Sequence, residues 1–340
     1  MALVQGLPLA PPLRRSGPAA ATSSVPPLMS SVSIEPFQDG HLAGAAEELA
    51  ARHERHRSAV PLLAPGDSRA ALEGLWRKKG VSGAVALRDR KVAAFVLAEV
   101  GERARFGRSA WVPHAGHATG DDELLRDTYA AAAQVWVEAG TELHYAMVPA
   151  TVEALEPWYR LGFAHMHVEG LYRGGAQEAP TAAGVTLRLG TRRDLKDGEA
   201  LDLEIYRLQA RSPSFARLAL ERAAHRAQWS EIDLDEEGLR YVVAEDQGIV
   251  VGHSLIYRAE PILGYPADAA CLASTVVRED LRRRGIGGAL LAEMLRVAED
   301  AGYGSLVTNW RMTNLVASRF WPAHGFRPIY YRLHRTIGSG

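Results

Sequence analysis

The stretch Arg282-Arg283-Arg284-Gly285-Ile286-Gly287-Gly288 decides how this chain folds and what it binds. It follows an apolar, strand-like run from Cys271 to Val277 and opens a helix-like run from Gly285 to Ala298. Glycine lets the backbone approach a ligand closely, and the first N–H groups of a helix point outward without partners. The helix dipole favours negative charge at the same place. The stretch therefore predicts a loop that binds a phosphate or a pyrophosphate.

Spacing excludes two other phosphate-binding loops. A P-loop requires a Gly-Lys-Ser/Thr sequence, which does not occur here. The dinucleotide-binding fingerprint requires a third glycine and an acidic residue at a set distance after it, and both are missing.

A second motif lies downstream at a definite distance. The loop fits R-x-x-G-x-G, with Arg282, Gly285 and Gly287 in register. The segment from Asn314 to Phe326 is N-x-x-A-x-x-F-W-x-x-x-G-F, close to N-x-x-A-x-x-L-Y-x-x-x-G-F. Together the two motifs resemble the GNAT acyltransferase superfamily, in which the loop binds the pyrophosphate of acyl-CoA. A solvated arginine-rich turn would not explain the second motif.

Composition is that of a globular protein with a large core. The 340 residues are 47% hydrophobic, which suggests about two domains. A net charge of -1 indicates no nucleic-acid partner. No apolar run is long enough to span a bilayer, and the single cysteine, Cys271, suits a reducing cytosol. We expect a cytoplasmic protein with no membrane partner, in which Cys271 is a small core residue rather than a catalytic thiol.

The N-terminal segment has a composition typical of disorder. Residues 1–30 are rich in proline, alanine and serine, and Arg14 and Arg15 follow a short, proline-broken apolar stretch. A signal peptide would place its positive charges before that stretch. We predict a disordered extension.

The same unit occurs twice in the chain. Gly162 aligns with Gly325 at an offset of 163 residues, and Trp158 then aligns with Trp321. Each half shows a hairpin, a strand, a helix, a second strand, a second helix and a Gly-Phe pair. The predicted fold class is α+β (mixed α/β), with two tandem GNAT-like domains, each a mixed, mostly antiparallel central sheet flanked by helices. The predicted boundaries are 1–30 for the extension, 31–173 for a degenerate GNAT-like domain, 174–184 for a linker and 185–340 for the catalytic GNAT domain.

The two copies differ at the expected anion-binding loop. The offset places Thr119-Gly120-Asp121-Asp122-Glu123 in register with the arginine-rich stretch. Acidic residues suit a helix N-terminus as caps but would repel a pyrophosphate. We predict that the first domain does not bind CoA there and instead supports or covers the second. Binding of a different, cationic ligand is the alternative.

Resemblance to the family implies where acyl-CoA would bind. In the family, the strand before the loop diverges from its neighbour, and the pantetheine arm of the cofactor inserts between them. The backbone of residues 275–277 would bind that arm, and Asn314 would contact the arm or the acyl end. The implied cofactor-binding set is Thr275, Val276, Val277, Arg282, Arg283, Arg284, Gly285, Ile286, Gly287, Gly288, Ala289, Asn314 and Ala317.

The implied chemistry is direct acyl transfer from CoA to an amine. The tyrosine that commonly protonates the departing sulfur is replaced by Trp321, whose indole N–H cannot do so. Tyr330 and Tyr331 are nearby substitutes. A thiol with a pKa of about 8.5 also leaves as the thiolate without strong help. A backbone N–H of Val276 or Val277 would meet the oxyanion.

A general base is harder to identify. His253 lies in the second strand of a hairpin, and an imidazole titrates near neutrality, so we predict it as the base. A structural histidine is the alternative interpretation. Glu245 lies at a hairpin turn and is expected to be solvated, while Ser274 and Thr275 could orient a water.

Paired histidines raise the question of a metal. His114 with His117, and His165 with His167, have suggestive spacing, but no cysteine accompanies them. We predict no metal. The segment from Tyr206 to Phe215 lies where the family places a loop that gates the acceptor, and it is a candidate specificity element.

The resemblance thus predicts an N-acetyltransferase of the second half that moves an acetyl or short acyl group from acetyl-CoA or another acyl-CoA to a small-molecule amine. A non-catalytic acyl-CoA sensor or assembly protein is the alternative, and a two-domain scaffold with no ligand is a third. The acceptor, the acyl length and the oligomeric state stay open.

Overall fold

A computed structural model describes residues 31–103, 107–175, 184–216 and 222–338. The predicted extension 1–30 and most of the predicted linker 174–184 lie outside the described residues. The elements of the first half are β1 (Val32–Pro36), α1 (Leu42–Ala59), α2 (Ser68–Trp76), β2 (Val81–Arg88), β3 (Lys91–Arg103), β4 (Gly107–Val112), β5 (His117–Thr119), α3 (Asp122–Glu138), β6 (Leu143–Pro149), α4 (Val152–Arg160) and β7 (Ala164–Arg173).

The second half repeats this order without a counterpart of β5. Its elements are β8 (Thr186–Leu189), α5 (Leu195–Ala210), α6 (Arg222–Ser230), β9 (Arg240–Asp246), β10 (Ile249–Arg258), β11 (Ala269–Val277), α7 (Ile286–Asp300), β12 (Ser305–Arg311), α8 (Leu315–Ala323) and β13 (Arg327–Thr336). Short 3-10 turns lie before α1, at Asp39–His41, and before α7, at Glu279–Leu281. Within the described residues, no helix is both long enough and apolar enough to cross a membrane.

Both hairpins turn in the same way. Asp89 and Arg90 have φ angles of 51° and 66°, and Gln247 and Gly248 have φ angles of 49° and 83°. Two successive positive φ angles define the two-residue turn whose twist matches that of paired strands. The fold class predicted from the sequence, two GNAT-like α+β units in tandem, is confirmed.

All strands belong to one sheet, and the two halves exchange their last strands within it. The strand order is β1-β2-β3-β4-β6-β13-β7-β12-β11-β10-β9-β8, with β5 paired to β3. Strand β13 from the second half therefore lies between β6 and β7, and β7 from the first half lies between β13 and β12. The sequence predicts a closing strand pair at the end of the second half, which is wrong. A single strand follows α8, and both of its partners come from the first half.

Helices cover both faces of the sheet. One face packs against α3 and α4 in the first half and α7 and α8 in the second. The other packs against α1 and α2 in the first half and α5 and α6 in the second. Ile286, Leu290, Met294 and Val297 recur at helical spacing along α7, which predicts that they face the sheet, and all four are buried. Burial of these apolar layers stabilises the fold by roughly 25 cal/mol for each Å² of apolar surface that is removed from water.

A close contact secures the junction between the halves. Gly170 of β7 pairs with Thr308 of β12 and lies under the Trp310 ring. A Cβ atom at Gly170 would lie 2.4 Å from a carbon of that ring. Only a residue without a side chain leaves room for Trp310 at this place.

We expect Gly170→Ala to destabilise the protein by about 1–3 kcal/mol, because the added methyl overpacks the junction. Gly101→Ala is the matched control, since Gly101 also lies in a strand and a Cβ there would meet nothing within 4 Å. Urea unfolding followed by circular dichroism compares the two variants. Equal unfolding midpoints for both would contradict this account of the junction.

Candidate active site

Strands β11 and β12 run together and then part. Their parallel pairing covers Ala269 with Ser305, Ala270 with Leu306, and ends at Cys271 with Val307. Strand β11 continues to residue 277 and β12 to residue 311 without further pairing between them. The backbone edge of β11 that faces β12 is therefore open beyond Cys271.

A β-bulge bends β11 at the same place. Ser274 pairs with Leu255 and Leu272 pairs with Ile256 on β10, so Ala273 is an extra residue without a partner. A bulge kinks its strand and increases the local twist. Just beyond the last paired residues, a side-chain hydrogen bond connects the two strands: the Thr308 hydroxyl donates to the Leu272 carbonyl at 2.9 Å. A wedge-shaped gap opens beyond that bond.

The helix that follows begins with open backbone donors. Gly285 precedes α7 with a φ of 81°, and no side chain caps the helix. The first N–H groups of α7 have no intrahelical acceptors. Gly287 lies close to the Phe320 ring, which would be 3.4 Å from an added Cβ. The first turn of α7 thus presents bare N–H groups and the positive end of a helix dipole.

The three arginines of the loop have different surroundings. The Arg282 Nε atom donates to the Val277 carbonyl at 3.1 Å, and its guanidinium lies 3.8 Å from the Glu204 carboxylate. Arg283 and Arg284 are exposed, and neither makes an ion pair with any residue that the structure describes. Arg282 therefore anchors the loop to β11, while Arg283 and Arg284 present their charges to solvent.

The matching helix of the first half is capped by its own side chains. Asp121 accepts hydrogen bonds from the backbone N–H groups of Glu123, at 3.0 Å, and Leu124, at 3.3 Å. It also pairs with Arg88 at 2.6 Å, and this guanidinium holds the pKa of Asp121 below its usual range. Donors that are open in α7 are occupied in α3, and the first turn of α3 carries two further acidic residues.

A cavity of about 790 Å³ reaches the gap from the α5 and α6 face. Ala273 and Ser274 of β11 and Asn309 of β12 line it where the strands part. Tyr206 and Gln209, from the segment predicted as a specificity element, line it as well. Residues 217–221, which follow that segment, lie outside the described part of the chain.

One carboxylate in this cavity belongs to a relay of hydrogen bonds. The Ser274 hydroxyl donates to Asp202 at 2.8 Å, and the His253 Nε2 atom lies 3.1 Å from the same hydroxyl. Since the hydroxyl proton goes to the carboxylate, His253 Nε2 donates to Ser274. Asp202 also lies 3.8 Å from the His225 Nε2 atom. Asp202 lines the cavity, and the other members of the relay hold it in place.

His253, the predicted base, is fully buried. Its ring packs against Trp229 and Tyr241, at centroid distances of 5.2 and 5.8 Å. Burial lowers the pKa of His253 to about 4, partly offset by the charge of Asp202. Its Nδ1 atom has no partner among the described residues. The structure thus places His253 behind Ser274 and does not bring it to the cavity, so direct proton abstraction by His253 does not fit this geometry.

The predicted substitute acids lie elsewhere too. The Tyr330 hydroxyl is buried and donates to the Leu263 carbonyl at 3.0 Å. Tyr331 projects from the opposite face of β13, packs against both helix-covered cores and contacts the His165 ring at 4.4 Å. Neither tyrosine lines the cavity. The role predicted for them does not agree with these positions.

Other predicted positions have structural contacts of their own. Trp321 is buried against Phe326, at a ring distance of 4.9 Å. The Asn314 side chain caps α8 by accepting from the Ala317 N–H at 3.2 Å. The Thr275 hydroxyl bonds to Ser254 at 2.9 Å, which leaves the backbone of β11 as the ligand-facing element.

The histidine pairs bind protein groups. His114 Nε2 lies 2.8 Å from the Glu169 carboxylate, and His117 Nε2 lies 3.1 Å from the Met147 carbonyl. In the part of the chain that the structure covers, no group of three or more metal-ligating residues comes together.

Sequence reasoning missed the charged residues that line the cavity, including Asp202, Arg311 and Arg332. Asp202 lies on α5 next to the buried Leu201, Arg311 is the last residue of β12, and Arg332 is one of three arginines in β13. No local pattern distinguishes these arginines or connects Asp202 to them.

Comparison with known proteins agrees with this geometry. Residues 203–326 match the acetyltransferase (GNAT) family. A GCN5-related N-acetyltransferase from Sphaerobacter thermophilus has 16% identity and a TM-score of 0.62, covering 91% of this chain and 96% of its own. A tandem GNAT protein from the clavulanic acid biosynthesis pathway has 14% identity and a TM-score of 0.50, covering 91% of this chain and 100% of its own.

A glucosamine N-acetyltransferase region of a fungal multi-domain β-N-acetylglucosaminidase has 12% identity and a TM-score of 0.55, covering 91% of this chain and 38% of its own. No curated protein matches the sequence. Residues 203–326 in the second half therefore match the GNAT family model, and the solved structures show that the chain as a whole has the fold of tandem GNAT proteins.

Burial of His253 has a consequence for acid stability. Folding lowers the pKa of His253 from an ordinary 6.5 to about 4, so between these pH values only the unfolded chain binds the proton. The stability that depends on neutral His253 is complete above pH about 6.5 and decreases as the pH falls toward about 4.

We expect the advantage of the wild type over His253→Gln, in free energy of unfolding, to shrink by about 1–3 kcal/mol between neutral pH and about pH 4.5. Urea unfolding at a series of pH values measures the difference and cancels the contribution of the other histidines. A difference that stays constant with pH would show that folding does not change the pKa of His253.

Proposed function

We propose that this protein transfers an acetyl or short acyl group from acyl-CoA to the amine of a small molecule, and that the reaction takes place in the second half. The observation that carries the proposal is the wedge between β11 and β12 directly before the uncapped N-terminus of α7. Both lie within the residues that match the acetyltransferase (GNAT) family.

The cofactor would bind along this wedge. Bare N–H groups of residues 286–289 would bind the pyrophosphate, and Arg283 and Arg284 would add charge-assisted hydrogen bonds. The open edge of residues 273–277 would pair with the amides of the pantetheine arm, as a neighbouring strand would. The bulge at Ala273 leaves backbone groups without a strand partner, and we propose that they meet the thioester carbonyl.

Asp202 is the proposed general base. It lines the cavity beside Ser274, where the wedge opens, and its carboxylate is oriented by the Ser274 hydroxyl. An acceptor amine that enters the cavity as the ammonium ion must lose a proton before it attacks the thioester. Asp202 can receive that proton directly or through water. His253 would act as a positioning residue through Ser274.

Tyr257 is the proposed proton donor to the departing sulfur. It lines the cavity and is hydrogen-bonded to Cys271, the last residue of β11 that pairs with β12. Burial raises the pKa of Tyr257 above its usual range, so its hydroxyl keeps a proton to donate. It replaces the family tyrosine whose position is held by the buried Trp321.

The first half is proposed to support the active half without binding CoA. Its α3 N-terminus is capped by Asp121, and its strand β7 completes the sheet beside β12. A cavity of about 910 Å³ lies at the corresponding place, but Arg52 and Arg55 there donate to the backbone carbonyls of His117 and Thr119. The domain boundaries predicted from the sequence, at 31–173 and 185–340, remain part of this proposal.

We expect acetyl-CoA to bind with one molecule per chain, and Arg283→Glu combined with Arg284→Glu to weaken binding by about 100-fold or more, since two favourable charges become repulsive. Isothermal titration calorimetry measures both. Lys79→Glu combined with Arg193→Glu is the control, because these exposed residues give the same change in net charge away from the loop.

Two bound molecules per chain would contradict the assignment to the second half alone. Equal weakening in both double variants would mean that net charge, and not the α7 site, determines the affinity.

We expect Asp202→Asn to lower the turnover of acetyl-CoA with amines by about 100-fold or more while leaving acetyl-CoA affinity unchanged, because a missing base affects only the chemical step. Release of the CoA thiol with a panel of small amines measures turnover. Glu237→Gln, at an exposed position outside the cavity, is the control. Binding of acetyl-CoA without thiol release by any amine would favour the sensor function.

A further inference from the structure

Two arginines lie side by side on the sheet floor of the cavity. Arg311 of β12 and Arg332 of β13 both pair in register with His167 of β7, which lies between them. All three residues line the cavity that contains Asp202. The exchange of strands creates this row, since β7 comes from the first half and the other two strands from the second.

Arg311 lacks the carboxylate partner that a buried guanidinium usually has. It makes no ion pair with any residue in the described ranges, and its Nε atom is buried there without a hydrogen-bond partner. Burial lowers the pKa of Arg311 below its usual range, but an arginine still carries its charge at neutral pH. Keeping such a charge partly dehydrated is unfavourable unless an anion compensates it.

The groups around Arg332 are an aromatic ring, a neutral histidine and one carboxylate. The Arg332 guanidinium lies over the Trp111 ring at 5.4 Å and contacts His167 Nδ1. Burial and the two arginines lower the pKa of His167 to about 2, so the ring stays neutral and accepts a hydrogen bond from Arg332. Glu169, the nearby carboxylate that favours charged Arg332, is already bonded to His114 and Tyr265.

The opposite wall of the cavity is acidic. Asp202 lies on α5, and Glu231 and Glu236 lie at exposed positions after α6. The cavity therefore has a negative wall, where the proposed base lies, and a positive floor formed by Arg311 and Arg332. Complementary charges of this kind fix the orientation of a ligand that carries both a positive and a negative group.

We infer that the acceptor is a zwitterion, an amine that also carries an anionic oxygen group, which Arg311 and Arg332 bind while the amine lies at Asp202. The inference rests on the proposed function and names the class of its acceptor. A guanidinium group binds both carboxylate and phosphate oxygens through paired N–H donors. Therefore ω-amino acids and aminoalkyl phosphates both belong to this class of acceptor.

Binding of matched probes to the full-length protein tests the inference. The probes are β-alanine, γ-aminobutyrate and 5-aminovalerate, each compared with the amide of its carboxyl group, and aminoethyl phosphate compared with ethanolamine. Each comparison compound keeps the amine and lacks the anionic group. Calorimetric titration in the presence of saturating CoA measures their affinities, and thiol release from acetyl-CoA measures their turnover. We expect at least one probe with an anionic group to bind about tenfold or more tightly than the partner that lacks it, as for a charge-assisted hydrogen bond.

Arg311→Gln should remove this preference without changing acetyl-CoA affinity, and Arg311→Lys should retain part of it. Arg258→Gln, at an exposed position of the same cavity, is the control and should keep the preference. Stronger binding of aminoethyl phosphate than of every amino acid would identify the anionic group as a phosphate, and the reverse order as a carboxylate.

Equal affinities within every pair, no binding of any anionic probe at millimolar concentration, or an unchanged preference in Arg311→Gln would overturn the inference. None of these results depends on turnover. Failure of the proposed function would instead appear as absent acetyl-CoA binding, or as absent thiol release with anionic and neutral amines alike.

Discussion

The exchange of β7 and β13 is the constraint on which the rest of the structure depends. Each half lacks a strand that the other half supplies, so the two sheets become one. The strands meet through Gly170, whose missing side chain admits the Trp310 ring. Because β7 lies against β12, a strand of the first half forms part of the floor of the cavity in the second half. The first half, whose matching helix is capped by acidic side chains, therefore contributes to the structure of this cavity.

Beside this junction, two local departures from regular pairing form the site. Strands β11 and β12 stop pairing after Cys271, and the bulge at Ala273 turns β11 away. Backbone groups that would otherwise satisfy each other are left available in the gap. The positive φ of Gly285 then begins α7 with its N–H groups uncapped. Under the proposed function, a strand edge and a helix N-terminus, rather than a set of side chains, would be the main binding elements.

The two copies differ at the N-terminus of the corresponding helix. In α3, Asp121 occupies the N–H groups that α7 leaves open, and Arg88 stabilises the Asp121 carboxylate. In the second copy, the charged residues are spread over a larger area. Arginines lie in the loop and on the cavity floor, and carboxylates lie on the α5 and α6 side. Side chains therefore assign different roles to two halves whose elements follow the same order.

Much of this could be predicted from the sequence by itself, because the patterns involved are local. The loop at 282–288, the repeat offset of 163 residues and the helical spacing of Ile286 and Leu290 are set by neighbouring residues and by backbone geometry. They predicted the resemblance to the GNAT family, the two copies and the position of the helix that is proposed to bind an anion. Which strand pairs with which, by contrast, depends on contacts between residues far apart in the chain. Only the tertiary structure placed β13 beside β6, buried His253 and Tyr330, and brought Asp202, Arg311 and Arg332 around one cavity, since packing across a sheet leaves no spacing that a sequence pattern can record.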